Sequence, residues 1–203
     1  MPISTDDQRR IGTAIHRAES HTSGQIVCVL ARSASDYAHV PLSWAAIVAL
    51  IVPWPLIVLT QWPVQWIYVT QLAVFLALSL TLSIPKFRML LVPRRIQRMR
   101  AHRAATEQFV IRSVSRTKER TGILIFVSLA ERYARIIADQ AIAEKVPQAD
   151  WQSAIDELVD ECRNHRIADG FIVSISRCGE VLARHFPPAP MPANELPDRL
   201  YLI

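Results

Sequence analysis

Two uncharged, mostly apolar runs interrupt a chain that elsewhere mixes polar and apolar positions. The first is Ser43 to Thr60, SWAAIVALIVPWPLIVLT; the second is Val64 to Ile84, VQWIYVTQLAVFLALSLTLSI. Neither holds Asp, Glu, Lys or Arg. Each is long enough for a helix rising ~1.5 Å per residue to cross a ~30 Å hydrocarbon core. The link, Gln61-Trp62-Pro63, allows only a tight reversal. The pattern predicts a two-helix transmembrane hairpin over residues 43–85; the competing reading is a helix pair buried in a soluble core. Pro53 and Pro55 interrupt the first span, which a bilayer tolerates where neighbouring groups re-satisfy the freed carbonyls. Trp44, Trp62, Trp66 and Tyr68 sit near the span ends, as an interfacial belt does; Trp54 fits that belt least well.

Outside these runs the periodicity alternates between helix and strand. Residues 4–21 predict a helix, with Ser4 as cap, Asp6 and Asp7 in the first turn, and Ile11, Ile15 and Ala18 at helical spacing. Gln25 to Leu30 predicts a buried strand and Arg32 to Pro41 a linker. Arg94 to Arg120 predicts a long charged helix with a thin apolar face, and Ile123 to Leu129 a second buried strand. Glu131 to Val146 predicts a helix with Ile136, Ile137, Ala141 and Ile142 inward, broken by Pro147. Asp150 is expected to cap an amphipathic helix carrying Trp151, Ile155, Leu158, Val159 and Cys162 on one face. Phe171 to Ser176 predicts a third strand, with Cys178-Gly179-Glu180 turning into Val181 to His185. The proline-rich tail reads as irregular.

The fold class expected is therefore α/β: a small mixed sheet covered by helices, interrupted by the hairpin. Residues 1–42 form the first part of the α/β domain, 43–85 the hairpin, and 86–203 a basic juxtamembrane helix, the second part of the domain and the tail. The strands Gln25–Leu30 and Ile123–Leu129, apolar on both faces, are expected to be central neighbours.

Charge adds orientation. The chain has 203 residues and a net charge of +5. About 160 residues outside the hairpin suffice for one globular core. Lys86, Arg88, Arg94, Arg95, Arg98, Arg100 and Arg103 follow the second span, and the turn carries no charge. The positive-inside rule places both flanks in the cytoplasm and the turn outside. Lys86, Arg88, Arg94, Arg95 and Arg98 are then lipid-headgroup contacts, each contributing ~1 kcal/mol near an anionic surface. The same run lacks the interleaved aromatics of a nucleic-acid site, so no nucleic-acid partner is expected. MPISTDDQRR offers no apolar core for a signal peptide, and Cys28, Cys162 and Cys178 show no CxxC, so they read as reduced, small buried residues.

Candidate chemistry is sparse. Cys178 and Arg184 have the Cys-x5-Arg spacing of a thiolate phosphatase loop, but Val181-Leu182-Ala183 reads as a strand and no helix follows, so neither is expected to be catalytic. Asp139, Glu144 and Asp150 could converge around the Val146-Pro147 break on a divalent cation; the plainer reading is a solvated helix end with its cap. No other cofactor is expected. Glu131 and Arg132 follow a buried strand and so fall at the C-terminal sheet edge, or start a helix. The histidines lack HExxH spacing, Ser128 lacks a GxSxG elbow, and 5 glycines leave no Walker or GxGxxG loop.

Three segments carry a family resemblance: ISTDDQRRI…AIHRAESHTSGQIVCVLA, RTGILIFVSLAERYARIIADQAIAEKV and DWQSAIDELVDECRNHRIADGFIVSISRCGEVLARHFP, with NELPD (Asn194 to Asp198) in the tail. They resemble the TPM domain, and most nearly bacterial membrane proteins whose TPM domain is interrupted by a transmembrane hairpin. The resemblance implies an α/β/α sandwich. Members of the family include thylakoid-lumen acid phosphatase-like proteins tied to photosystem repair, and membrane proteins that modulate partner complexes. The expected function is a non-catalytic module, anchored in a bacterial inner membrane with its soluble domain cytoplasmic, that binds and stabilises another membrane complex or a second copy of itself. The alternative is a metal-assisted phosphatase at the membrane surface.

Overall fold

A computed structural model describes residues 3–35, 37, 39–84, 89, 91–114, 117, 119–188 and 195–203. The chain divides into two compact units, Met1–Ala34 with Arg100–Ile203, and Ser35–Met99.

The first unit is organised on β1 (Gln25–Ala31) and β2 (Gly122–Ser128), every residue of which is buried. They pair in parallel from Gln25 opposite Gly122 to Ala31 opposite Ser128. Alternation sends Ile26, Cys28, Leu30, Ile123, Ile125 and Val127 into one core, and Val27, Val29, Ala31, Leu124 and Phe126 into the other. The first core is closed by α1 (Thr5–Glu19) and two later helices, the second by α5 (Arg94–Ile111) through Ala105 and Phe109. Ser4 caps α1, as the sequence predicts, and the Asp7 side chain returns the bond to complete a reciprocal box. The expected central neighbours are thus observed.

Four expectations are corrected. Residues 131–146 are not one helix. Leu129–Arg132 is a tight turn, and β3 (Tyr133–Ala138) runs back antiparallel to β2 before the short α6 (Gln140–Ala143). Arg132 sits at φ 49°, and Ile136, taken as helical, is buried by the period-two alternation of an edge strand. Residues 171–185 are neither strand nor hairpin. They belong to α8 (Ile167–His185), whose buried Phe171, Ser174, Ile175, Cys178 and Leu182 recur at helical spacing. Its glycines are contact points, not turns: a Cβ at Gly170 would meet the Leu158 carbonyl oxygen at 3.1 Å, and one at Gly179 the Ala18 Cβ at 3.0 Å. The long basic helix stops at Ile111, before Ser113 at φ 58°. The tail ends in β4 (Leu200–Leu202), parallel to β1, giving the sheet order β3-β2-β1-β4.

Trp151 is buried at the end of a 3₁₀ turn (Gln148–Trp151) that leads into α7 (Gln152–Arg163). Asp150 lies within that turn, and α7 begins without a side-chain cap. The α7 face carries Ala154 and Leu158 inward, with Ile155 and Cys162 partly buried.

The second unit contains α2 (His39–Ile51), α3 (Pro53–Leu59) and α4 (Val64–Leu82). Val52 keeps helical angles and its N–H donates to Val48, so Pro53 interrupts little. Residues Val40–Leu59 and Val64–Leu82 are each long and apolar enough to cross a membrane. Ala45 and Ala49 of α2 and Ile67 of α4 are buried; most large apolar side chains of the pair are exposed, Leu59 by 79% and Leu80 by 78%.

Candidate functional site

The C-terminal edge of the sheet is closed by a carboxylate. Glu131 accepts the Ala34 N–H at 3.0 Å and the hydroxyls of Ser33 and Ser128. It is 2% exposed and locks the exit of β1 to the exit of β2. It starts no helix, and its oxygens are occupied by these donors. The edge position of Glu131 was legible; its partners on the β1 exit loop are 97 and 98 residues away.

Asp139 caps α6, accepting the Gln140 N–H at 2.7 Å through Oδ1, while Oδ2 is buried without a partner among the described residues. Glu144 accepts from the Gln140 amide at 3.1 Å, and Asp150 lies in the 3₁₀ turn. Among the described residues no three His, Cys, Asp or Glu side chains come together as a metal cluster. Cys178 is fully buried, and burial pushes its thiol up to about 12. Arg184, six residues on, is exposed about 240° around the same helix. A helix interior keeps its N–H groups bonded to its own carbonyls, so the Cys-x5-Arg spacing builds no phosphate cradle.

Sequence reasoning missed an acidic pair at the other end of α1. Glu19 accepts the Ile26 N–H at 2.7 Å, and Asp198 accepts from His16 Nδ1 at 3.0 Å if that nitrogen carries the proton. Burial pushes the Glu19 carboxyl up to about 8; the Ile26 N–H opposes this, and the charge and hydrogen bond of Asp198 add to it. Gln25 accepts the N–H groups of Glu195 and Leu196. Together these groups fasten the C-terminal segment beside β1. In the sequence only the family resemblance of the NELPD tail marks it.

Between α1 and α8 runs an open groove of about 780 Å³. It is lined by Arg9, Arg10, Ala14, Arg17 and Ala18 of α1, by His21 just beyond that helix, and by Ile172, Glu180 and Ala183 of α8. Arg10 is bound to Asp169 at 2.6 Å and Asp7 at 3.2 Å. The Arg9 and Arg17 side chains are exposed, with no ionic partner among the described residues. In the second unit, Lys86 and Arg88 lie outside the described residues, and Arg94, Arg95 and Arg98 are exposed. The hydroxyls of Thr70, Thr81 and Ser83 donate to carbonyls of their own helical turns at 2.7–2.8 Å.

The architecture defines a class: a mixed four-stranded α/β unit whose chain is interrupted, between its two central strands, by two helices of membrane-spanning length. The family model described as the TPM domain matches residues 85–181. That stretch holds β2, β3, α7 and most of α8. Among solved structures, the NMR structure of BA42 protein from the psychrophilic bacterium Bizionia argentinensis is similar. Its TM-score is 0.63 at 17% identity, covering 99% of this chain and 95% of that one. That likeness is one of fold. No curated protein matches the chain.

Proposed function

We propose that this protein is a membrane-anchored TPM-type module, without catalysis, that binds and steadies another membrane complex. The observation that carries the reading is the pair of helices Val40–Leu59 and Val64–Leu82, whose large apolar side chains are mostly exposed. In water such a surface drives association; in a bilayer it is matched by lipid and by neighbouring helices. The exposed Arg94, Arg95 and Arg98 suit anionic headgroups on the cytoplasmic side of a bacterial inner membrane. A mostly apolar groove of about 530 Å³, with Ala46 and Ala49 beside Leu50, Leu72 and Phe75 and with Gln71 as a polar group, offers a close-packing surface to a neighbouring helix or a second copy. The alternative, a metal-assisted phosphatase, draws its support from the free buried oxygen of Asp139 alone.

Affinity purification of the full chain from its native membranes in mild detergent tests the reading. A stoichiometric membrane-protein companion, or a dimer of the chain, is expected. A strictly monomeric particle with no companion would sink it.

A further inference from the structure

We infer that the groove between α1 and α8 is the docking site for an acidic amphipathic helix of the partner complex. The inference rests on the module reading above and names the partner's chemistry and the surface that receives it.

Shape is the first argument. Two packed helices leave a furrow into which a third helix can lay a ridge of side chains. Here small side chains, Ala14, Ala18 and Ala183, line the furrow, so a backbone can approach closely. Ile172 adds apolar surface on which an apolar face gains by burial.

Charge is the second. Along α1 the free guanidinium groups of Arg9 and Arg17 are separated by eight residues, about 12 Å along the axis. His21, just past the C-terminal cap of α1, also lines the groove. A helix lying along it meets both arginines with carboxylates seven or eight positions apart. Bidentate Arg–carboxylate pairs then set its register. The Arg10 guanidinium is held by Asp169 and Asp7, leaving the open cationic positions at the two ends of the stripe. On the opposite wall Glu180, shared with Arg177 at 3.5 Å, disfavours an occupant that is acidic all round. The ligand is therefore a helix with one acidic flank, not a uniformly acidic tail.

A membrane surface fits less well. A headgroup site calls for protruding basic and aromatic side chains on a flat or convex face. Among the described residues no Phe, Tyr or Trp lines this concave furrow, and Glu180 would face the lipid phosphates.

The full chain carrying a photoreactive residue at the exposed, groove-lining Ser176 is irradiated in its native membranes, and the adducts are sequenced. The expected product is a protein adduct within a helical segment bearing carboxylates seven or eight positions apart. Its yield should fall at least tenfold in the Arg9→Glu, Arg17→Glu double variant. Both sites are exposed, so the variant should melt as wild type does. Lipid adducts alone, no adduct, or an adduct whose yield survives the double substitution would each overturn the assignment. If the double variant loses the adduct yet gains one with a basic-flanked helix, charge pairing is the cause. The two proposals separate cleanly: a companion that co-purifies equally with the double variant removes the groove and leaves the module reading standing, whereas wild type without any companion removes that reading.

Discussion

Glu19 shows how one side chain couples the C-terminal segment to proton activity. Its carboxyl, 7% exposed, is shifted from 4.5 to about 8, chiefly by burial. The unfolded chain releases this proton near 4.5, and the folded chain holds it to about 8. Between those values the folded state binds the extra proton, so stability falls as pH rises through the window. Glu19→Gln keeps an acceptor for the Ile26 N–H and cannot ionise. Thermal melting of the full chain in detergent from pH 5 to 8.5 should therefore show a falling Tm for wild type and a smaller fall for the variant. Parallel profiles would contradict the buried-acid account. Cys28 and Cys178 are pushed well up by the same desolvation, which keeps both thiols protonated and poor nucleophiles.

At the scale of elements, the pairing of β1 with β2 is the contact on which the first unit closes. The two strands are separated in sequence by the whole apolar helix pair, so their pairing closes a long loop. Ile125 is fully buried in the β2 register opposite Cys28. Ile125→Asp leaves an unpaired charge in that core and should cost about 3–5 kcal/mol. Urea unfolding followed by circular dichroism reads this directly; a variant that melts normally would reject the central-strand assignment. The third apolar segment, by contrast, became α8. FIVSISRCGEVLARH carries the β-branched residues of a strand, yet its buried positions are three and four apart. Contacts with α1 and α7 through Gly179 and Gly170 decided the matter.

For the whole molecule, the testable quantity is topology. If Val40–Leu59 and Val64–Leu82 cross a bilayer as a pair, both flanks lie on one side, as the insertion between paired strands requires. On the function proposed above, the positive-inside rule predicts that this side is the cytoplasm. Cysteine scanning with an impermeant reagent in intact cells should label a cysteine placed at Gln61 and spare one placed at Thr5. Labelling at Thr5 from outside would reject the orientation and with it the placing of the α1–α8 groove beside a cytoplasmic partner.

Some of this was readable from residue order alone, because it depends on local pattern. An uncharged run of spanning length, a Ser4 cap three residues before an acid, and five or six consecutive β-branched or apolar residues each act through near neighbours. The α/β class, the first two strands and the two apolar helices follow from such signals. Other features depend on distant partners. β3 is a strand because β2 offers it a ladder, and β4 because β1 has an open edge. Glu131 is a clamp because Ser33 and Ala34 arrive beside it, and the basic groove exists because α8 lies against α1. Short apolar segments of ambiguous period carry too little local preference to choose between helix and strand, so the burial available in the assembled core makes that choice.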